Sequence, residues 1–135
     1  MQIIDNGTLR KFVDDVDGLH DALLHEAILL HPGYVDSDRR MFGDLDLLDG
    51  TLLFQSQSAS IAAVKLKLRG ISKFHLDLGC DFRLEGEVSN GEVVLYLCGK
   101  QRQDRCELRA KEVEYQLLDR GYLGPNYRLT KEELP

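Results

Sequence analysis

Hydrophobic residues recur along this chain mostly at every second position, the period of a strand with one face in a core. The clearest run is Ala62, Val64, Leu66 and Leu68, which alternate with Ala63, Lys65, Lys67 and Arg69. Gly70-Ile71 interrupts it, after which Phe74, Leu76 and Leu78 alternate with Lys73, His75 and Asp77. That interruption predicts either a reversal or a bulge through which the chain continues onto a second sheet. Asn90-Gly91 supplies the two positive φ angles of a type I′ hairpin turn. Its register pairs Val88 with Val93, Gly86 with Leu95 and Leu84 with Leu97, leaving Arg83, Glu85, Glu87, Val94 and Tyr96 on the opposite face. Asp49-Gly50 predicts a second hairpin, pairing Leu47 with Leu52 and Leu45 with Phe54. A last strand begins near Arg105, with Cys106, Leu108 and Ala110 inward. Its phase shifts at Lys111-Glu112 to Val113, Tyr115 and Leu117, which predicts a bulge there.

Helical spacing is confined to the start, where Leu9, Phe12, Val13 and Val16 follow Thr8 as the expected cap and stop near Asp17-Gly18. Residues 19–31 fit both periods, but Ala22, Leu24, Ile28 and Leu30 alternate and Pro32-Gly33 closes the run, which favours a strand. The pattern predicts a mainly β domain: an antiparallel sandwich or partly open barrel of about six to eight strands with an N-terminal helix packed on it. One domain spans residues 1–135, and the turn-rich stretch 121–135 is expected as a loosely packed C-terminal tail.

Composition alters this picture little. A chain of 135 residues with 43% hydrophobic residues can bury a core without covalent staples. Cys80, Cys98 and Cys106 are odd in number and lack CxxC spacing, so reduced thiols are expected. No apolar run reaches the ~20 residues of a membrane span, and Met1-Gln2-Ile3-Ile4-Asp5 has no basic-then-apolar leader pattern. The expectation is a cytoplasmic protein without a membrane partner.

Charge says more about partners. The net charge is −6, and residues 1–54 hold 4 basic and 11 acidic side chains against 13 and 12 in residues 55–135. A field of that sign repels nucleic acid and attracts a cationic protein surface. The carboxylates expected to form such a binding face are Asp14, Asp15, Asp17, Asp36, Asp38, Asp44 and Asp46. Homo-oligomerisation is compatible with the same composition.

Chemical motifs fail on spacing. His25 and His31 are six residues apart, whereas the zincin motif needs four to place both rings on one helix face. With Gly50 or Gly18 at the turn position of a calcium loop, Leu45 or Val13 falls where the first acid belongs. No metal or other cofactor is therefore expected. Ser56, Ser58 and Ser60 lack the flanking glycines of a nucleophile elbow. Lys65, Lys67, Arg69 and Lys73 read as a solvated strand face, and Cys98 and Cys106 as buried strand thiols. The one pair suited to acid–base work is His20-Asp21, which can cooperate only at a turn, because strand neighbours point to opposite faces.

The order Gly18-Leu19-His20-Asp21-Ala22, an apolar strand, an acidic stretch, and Val64-Lys65-Leu66-Lys67-Leu68-Arg69-Gly70-Ile71-Ser72-Lys73-Phe74 resembles small bacterial β-rich domains that open with Leu-His-Asp. Some domains of that kind lie beside secreted toxins and are regarded as immunity proteins. The resemblance covers about half the chain and implies a mainly β domain that binds a protein. It implies no catalytic residue. The binding module is thus the favoured function, and a small enzyme using His20 and Asp21 in a pocket at a sheet end is the alternative.

Overall fold

The computed structural model describes residues 1–43, 47–56, 61–77, 81–102, 104 and 106–118. The expected tail, the Leu45 pairing, and Asp44 and Asp46 lie outside them. The elements are β1 (Gln2–Ile3), α1 (Asn6–Asp15), β2 (Ala22–Leu30), β3 (Tyr34–Val35), β4 (Met41–Phe42), β5 (Leu48–Ser56), β6 (Ala63–Leu76), β7 (Glu85–Ser89), β8 (Glu92–Tyr96) and β9 (Cys106–Leu118). Seven strands form one antiparallel sheet in the order β2-β5-β6-β9-β8-β7, with β1 also paired to β9, and the sheet does not close into a barrel. Strands β3 and β4 form a separate two-stranded ribbon. No helix among the described residues is long and apolar enough to cross a membrane.

The predicted Asn90-Gly91 hairpin forms in the expected register, Val88 opposite Val93 and Gly86 opposite Leu95, with φ of 53° and 75° at the two turn residues. Residues 19–31 contain a strand, but with one correction. A bulge between Leu24 and Glu26 leaves His25 without an opposite residue in β5. Beyond it the faces exchange: Ala27 and Leu29 lie opposite Leu52 and Gly50, while Glu26 and Ile28 lie opposite Leu53 and Thr51. Directly opposed residues share a face. Ile28 and Leu30 therefore leave the face of Leu24 and point away from the core.

Asp49-Gly50 makes no turn. Both residues sit within β5, whose partners are the distant strands β2 and β6. A Cβ on Gly50 would meet Leu29 at 3.0 Å and Ile71 at 3.1 Å, and Asp49 Oδ1 accepts a hydrogen bond from the Gly70 N–H at 3.1 Å. Non-local pairing has taken over a local turn signal, and the glycine serves close packing. Strand β6 neither reverses nor enters a second sheet. It passes through Gly70 (φ 65°) and stays in the same sheet over all of its 14 residues. The register shift between β6 and β9 lies between Ile71 and Lys73, opposite Ala110 and Arg109, and none falls at Lys111-Glu112, where the bulge was expected.

The helix starts a turn earlier than the Thr8 cap implied. Asp5 is the N-cap, its side chain accepting from the Thr8 N–H at 2.7 Å, while Thr8 Oγ1 accepts from the Asp5 N–H at 3.0 Å. Leu9, Phe12 and Val16 are buried over the inner face of the sheet, with Phe12 against Tyr115 at 4.5 Å between ring centres. The Tyr115 hydroxyl donates to Asp15 Oδ2 at 2.9 Å, fastening the end of α1 to β9. The outer face is less polar than its alternation implied. Val94 and Tyr96 are buried, as is a separate cluster of Leu53, Ala63 and Leu118.

Candidate functional site

The two edges of the sheet are treated differently. Edge strand β7 is five residues long and carries Glu85 and Glu87. Asn6, the first residue of α1, covers it: its Oδ1 accepts from the Val88 N–H at 2.9 Å and its Nδ2 donates to the Val88 carbonyl at 3.4 Å. Just before β7, the Leu84 N–H donates to the Gly18 carbonyl at 2.8 Å. Charge, shortness and a covering side chain are the devices that keep a strand edge from pairing with another chain.

Edge strand β2 has only its bulge. It is nine residues long, Ala-Leu-Leu-His-Glu-Ala-Ile-Leu-Leu, with a single formal charge at Glu26. Among the described residues no backbone hydrogen bond outside the sheet ladders involves residues 22–30. Its apolar side chains stand in solvent, Leu23 62% exposed, Ile28 54% and Leu30 66%. The ribbon that follows in sequence is likewise apolar and exposed: Tyr34 stacks on Phe42 at 5.3 Å, and Val35 pairs with Met41, all four in solvent. Among the described residues, eight of the eleven large hydrophobic residues that are exposed thus fall between Leu23 and Phe42. A concentration of this kind, unlike scattered apolar residues, marks an interaction surface.

The acidic candidates do not converge on this edge. Asp14 and Asp17 are exposed and line a shallow cleft with Arg83 and Glu85. Asp15 is engaged by Lys11 at 2.8 Å and by Tyr115, and these hydrogen bonds hold its carboxyl below the usual range. Asp36 builds the tip of the β3–β4 ribbon, accepting from the Asp38 and Arg40 N–H groups at 2.9 Å, and Asp38 is exposed beside it. The helix-end carboxylates and the ribbon carboxylates therefore flank opposite ends of β2, a nine-residue strand spanning about 30 Å.

His20 and Asp21 do meet, His20 Nδ1 lying 3.1 Å from Asp21 Oδ2. The chain there is a tight left-handed turn, with positive φ at Asp17, Gly18, Leu19 and Asp21. Leu19 is driven into the core by this turn, and its neighbours His20 and Asp21 are left 74% and 60% exposed. Bulk water screens a pair so placed and gives it no enclosed substrate site.

His25 sits at the β2 bulge and His31 beyond the strand, where its Nδ1 accepts from the Gly33 N–H at 2.9 Å. Among the described residues no group of three side chains is placed to hold a metal. The basic stripe is largely matched across the ladder, Lys67 opposite Glu114 and Arg69 opposite Glu112. At its end Glu107, the only buried charged residue among those described, takes Arg109 at 2.8 Å and Lys73 at 2.9 Å. Burial raises its pKa, but the hydrogen bonds and charges of Arg109 and Lys73 prevail and hold it below the ordinary value.

The cysteines depart from expectation. Cys98 is disulfide-bonded, and the sulfur of the buried Cys106 lies 2.8 Å from that of Cys98. Spacing could not reveal this, because the chain between β8 and β9 turns back to bring residues eight apart into contact.

No protein-family model, curated protein or solved structure matches this chain.

Proposed function

We propose that this protein is a non-catalytic binding module that engages another polypeptide along β2 and the β3–β4 ribbon, by strand addition at the sheet edge. The contrast between a guarded β7 and an open, apolar β2 carries this reading. Main-chain groups of Glu26–Leu30 supply affinity to any extended segment, and the outer-face side chains Ile28 and Leu30 supply selectivity. The net charge of −6, with Asp14, Asp17 and Asp38 exposed at the two ends of β2, steers a cationic partner toward the edge without lying in the contact. An inhibitor or immunity-type role accords with the resemblance of its Leu-His-Asp opening, and the exposure of His20 and Asp21 favours binding over acid–base chemistry.

The test is amide hydrogen exchange with a cationic strand-forming probe, a peptide of about ten alternating valines and lysines. Binding should slow exchange at Glu26–Leu30 and leave Glu85–Ser89 unchanged. Ile28→Lys should abolish that protection, and Asp14→Asn with Asp17→Asn should weaken it only at low salt. Unchanged exchange along β2 at saturating peptide, or protection at β7 instead, would refute the reading.

A further inference from the structure

Resting on the reading of β2 as an open edge, we infer that its occupant is a second copy of this chain, the two β2 strands pairing antiparallel about a two-fold axis at Ile28. Past the bulge at His25, residues Glu26–Leu30 keep one continuous register against β5 and offer an uninterrupted edge. A two-fold contact requires a self-complementary surface. Centring it on Ile28 sets Ile28 against Ile28, Ala27 against Leu29 and Glu26 against Leu30. Opposed residues then share faces, the first and third pairs outside and the second inside, and no like charges meet. An axis at Glu26 would oppose two carboxylates, and one at Ala27 would drive the bulge into the new ladder.

Charge and exposure favour the same occupant. Residues 22–35 carry one formal charge, Glu26, so two copies of the strand can pair with almost no like-charge opposition. Leu23, Ile28, Leu29 and Leu30 of β2 are exposed apolar side chains along that edge, which a second copy can partly cover. Two such chains, each at −6, repel at long range. Added salt should therefore strengthen this dimer, whereas it would weaken a complex with a cationic partner.

Sedimentation velocity of the full chain at about 1–100 µM is the test, a range that captures micromolar self-association. The expected result is a species of twice 15.3 kDa that grows with added salt, and Ile28→Lys should weaken it by about 100-fold or more without lowering the unfolding midpoint, because Ile28 is 54% exposed. Mild oxidation should crosslink Ile28→Cys between copies and leave Leu30→Cys uncrosslinked, since only residue 28 faces itself. Equal crosslinking of both variants would overturn the register. A monomer at the highest concentration would overturn the self-pairing, and amide exchange then separates the two readings. Fast exchange at Glu26–Leu30 in that monomer leaves the open edge standing, whereas slow exchange means the chain covers β2 itself and both readings fall.

Discussion

Replacing Tyr115 by Phe removes one oxygen atom and isolates the link between α1 and the sheet. The ring stays against Phe12, 4.5 Å between centres, so packing is retained. The lost interaction is the 2.9 Å hydrogen bond to Asp15 Oδ2, which also holds Lys11 at 2.8 Å. A hydrogen bond to a charged acceptor contributes about 1.5–3 kcal/mol, and because the Asp15 side chain is a quarter exposed, the lower end, about 1.5 kcal/mol, is expected. For a domain of this size that lowers the thermal midpoint by about 5 °C. The pH dependence makes the prediction more specific. Burial, then the hydrogen bond and charge of Asp15, push the Tyr115 hydroxyl up from 10.0 to about 12. A raised folded value means stabilisation fully present below pH 10 and lost as pH rises toward 12. Asp15 behaves oppositely. Its folded pKa is depressed below 3.8, so its contribution is present above that value and lost as pH falls through the lower one. Urea unfolding of wild type and Tyr115→Phe from pH 3 to pH 11 should show a gap widest near neutrality that narrows toward both ends. A gap below about 0.3 kcal/mol at pH 7, or equal alkaline loss in the variant, would refute the assignment.

Other substitutions probe the fold and the polar clusters. Gly70→Ala places a Cβ at φ 65° and 3.1–3.2 Å from the Lys111 stem, and should cost about 1–2 kcal/mol in urea unfolding. Glu107→Gln should cost about 1 kcal/mol at pH 7, discounted because Arg109 and Lys73 are about half exposed. That difference should shrink as pH falls from 4.5 through the lower folded value, because a depressed carboxylate loses its contribution there. Alkylation without reductant should label Cys106 only after unfolding and should leave Cys98 unlabelled, as read by peptide mass mapping; alkylation of Cys98 would contradict its disulfide. Asn6→Ala should speed exchange of the Val88 amide and lower stability by about 1 kcal/mol, because it opens the guarded edge.

What the sequence by itself determined is whatever depends on near neighbours. Alternation identified the long strands, and Asn90-Gly91 set its hairpin, since a two-residue turn and its flanking pairs lie within a few residues of one another. The helix was legible from Leu9, Phe12 and Val16, although its start shifted because Asp5 and Thr8 are both good capping residues and their reciprocal bonds choose between them. Long-range pairing decided the rest. Asp49-Gly50 carries the same turn signal as Asn90-Gly91, yet β5 continues through it, paired with β2 on one side and with β6 on the other, where the register shifts between Leu48 and Gly50. The candidate site was half visible: the apolar run of residues 22–30 can be read in the sequence, but periodicity placed Ile28 and Leu30 in the core. Only the single unpaired residue at His25 turned them to the solvent, because side-chain direction in a strand has a period of two and one added residue exchanges every face beyond it. That β2 lies at an open edge while β7 lies under Asn6 is likewise a property of strand order, which no local pattern encodes.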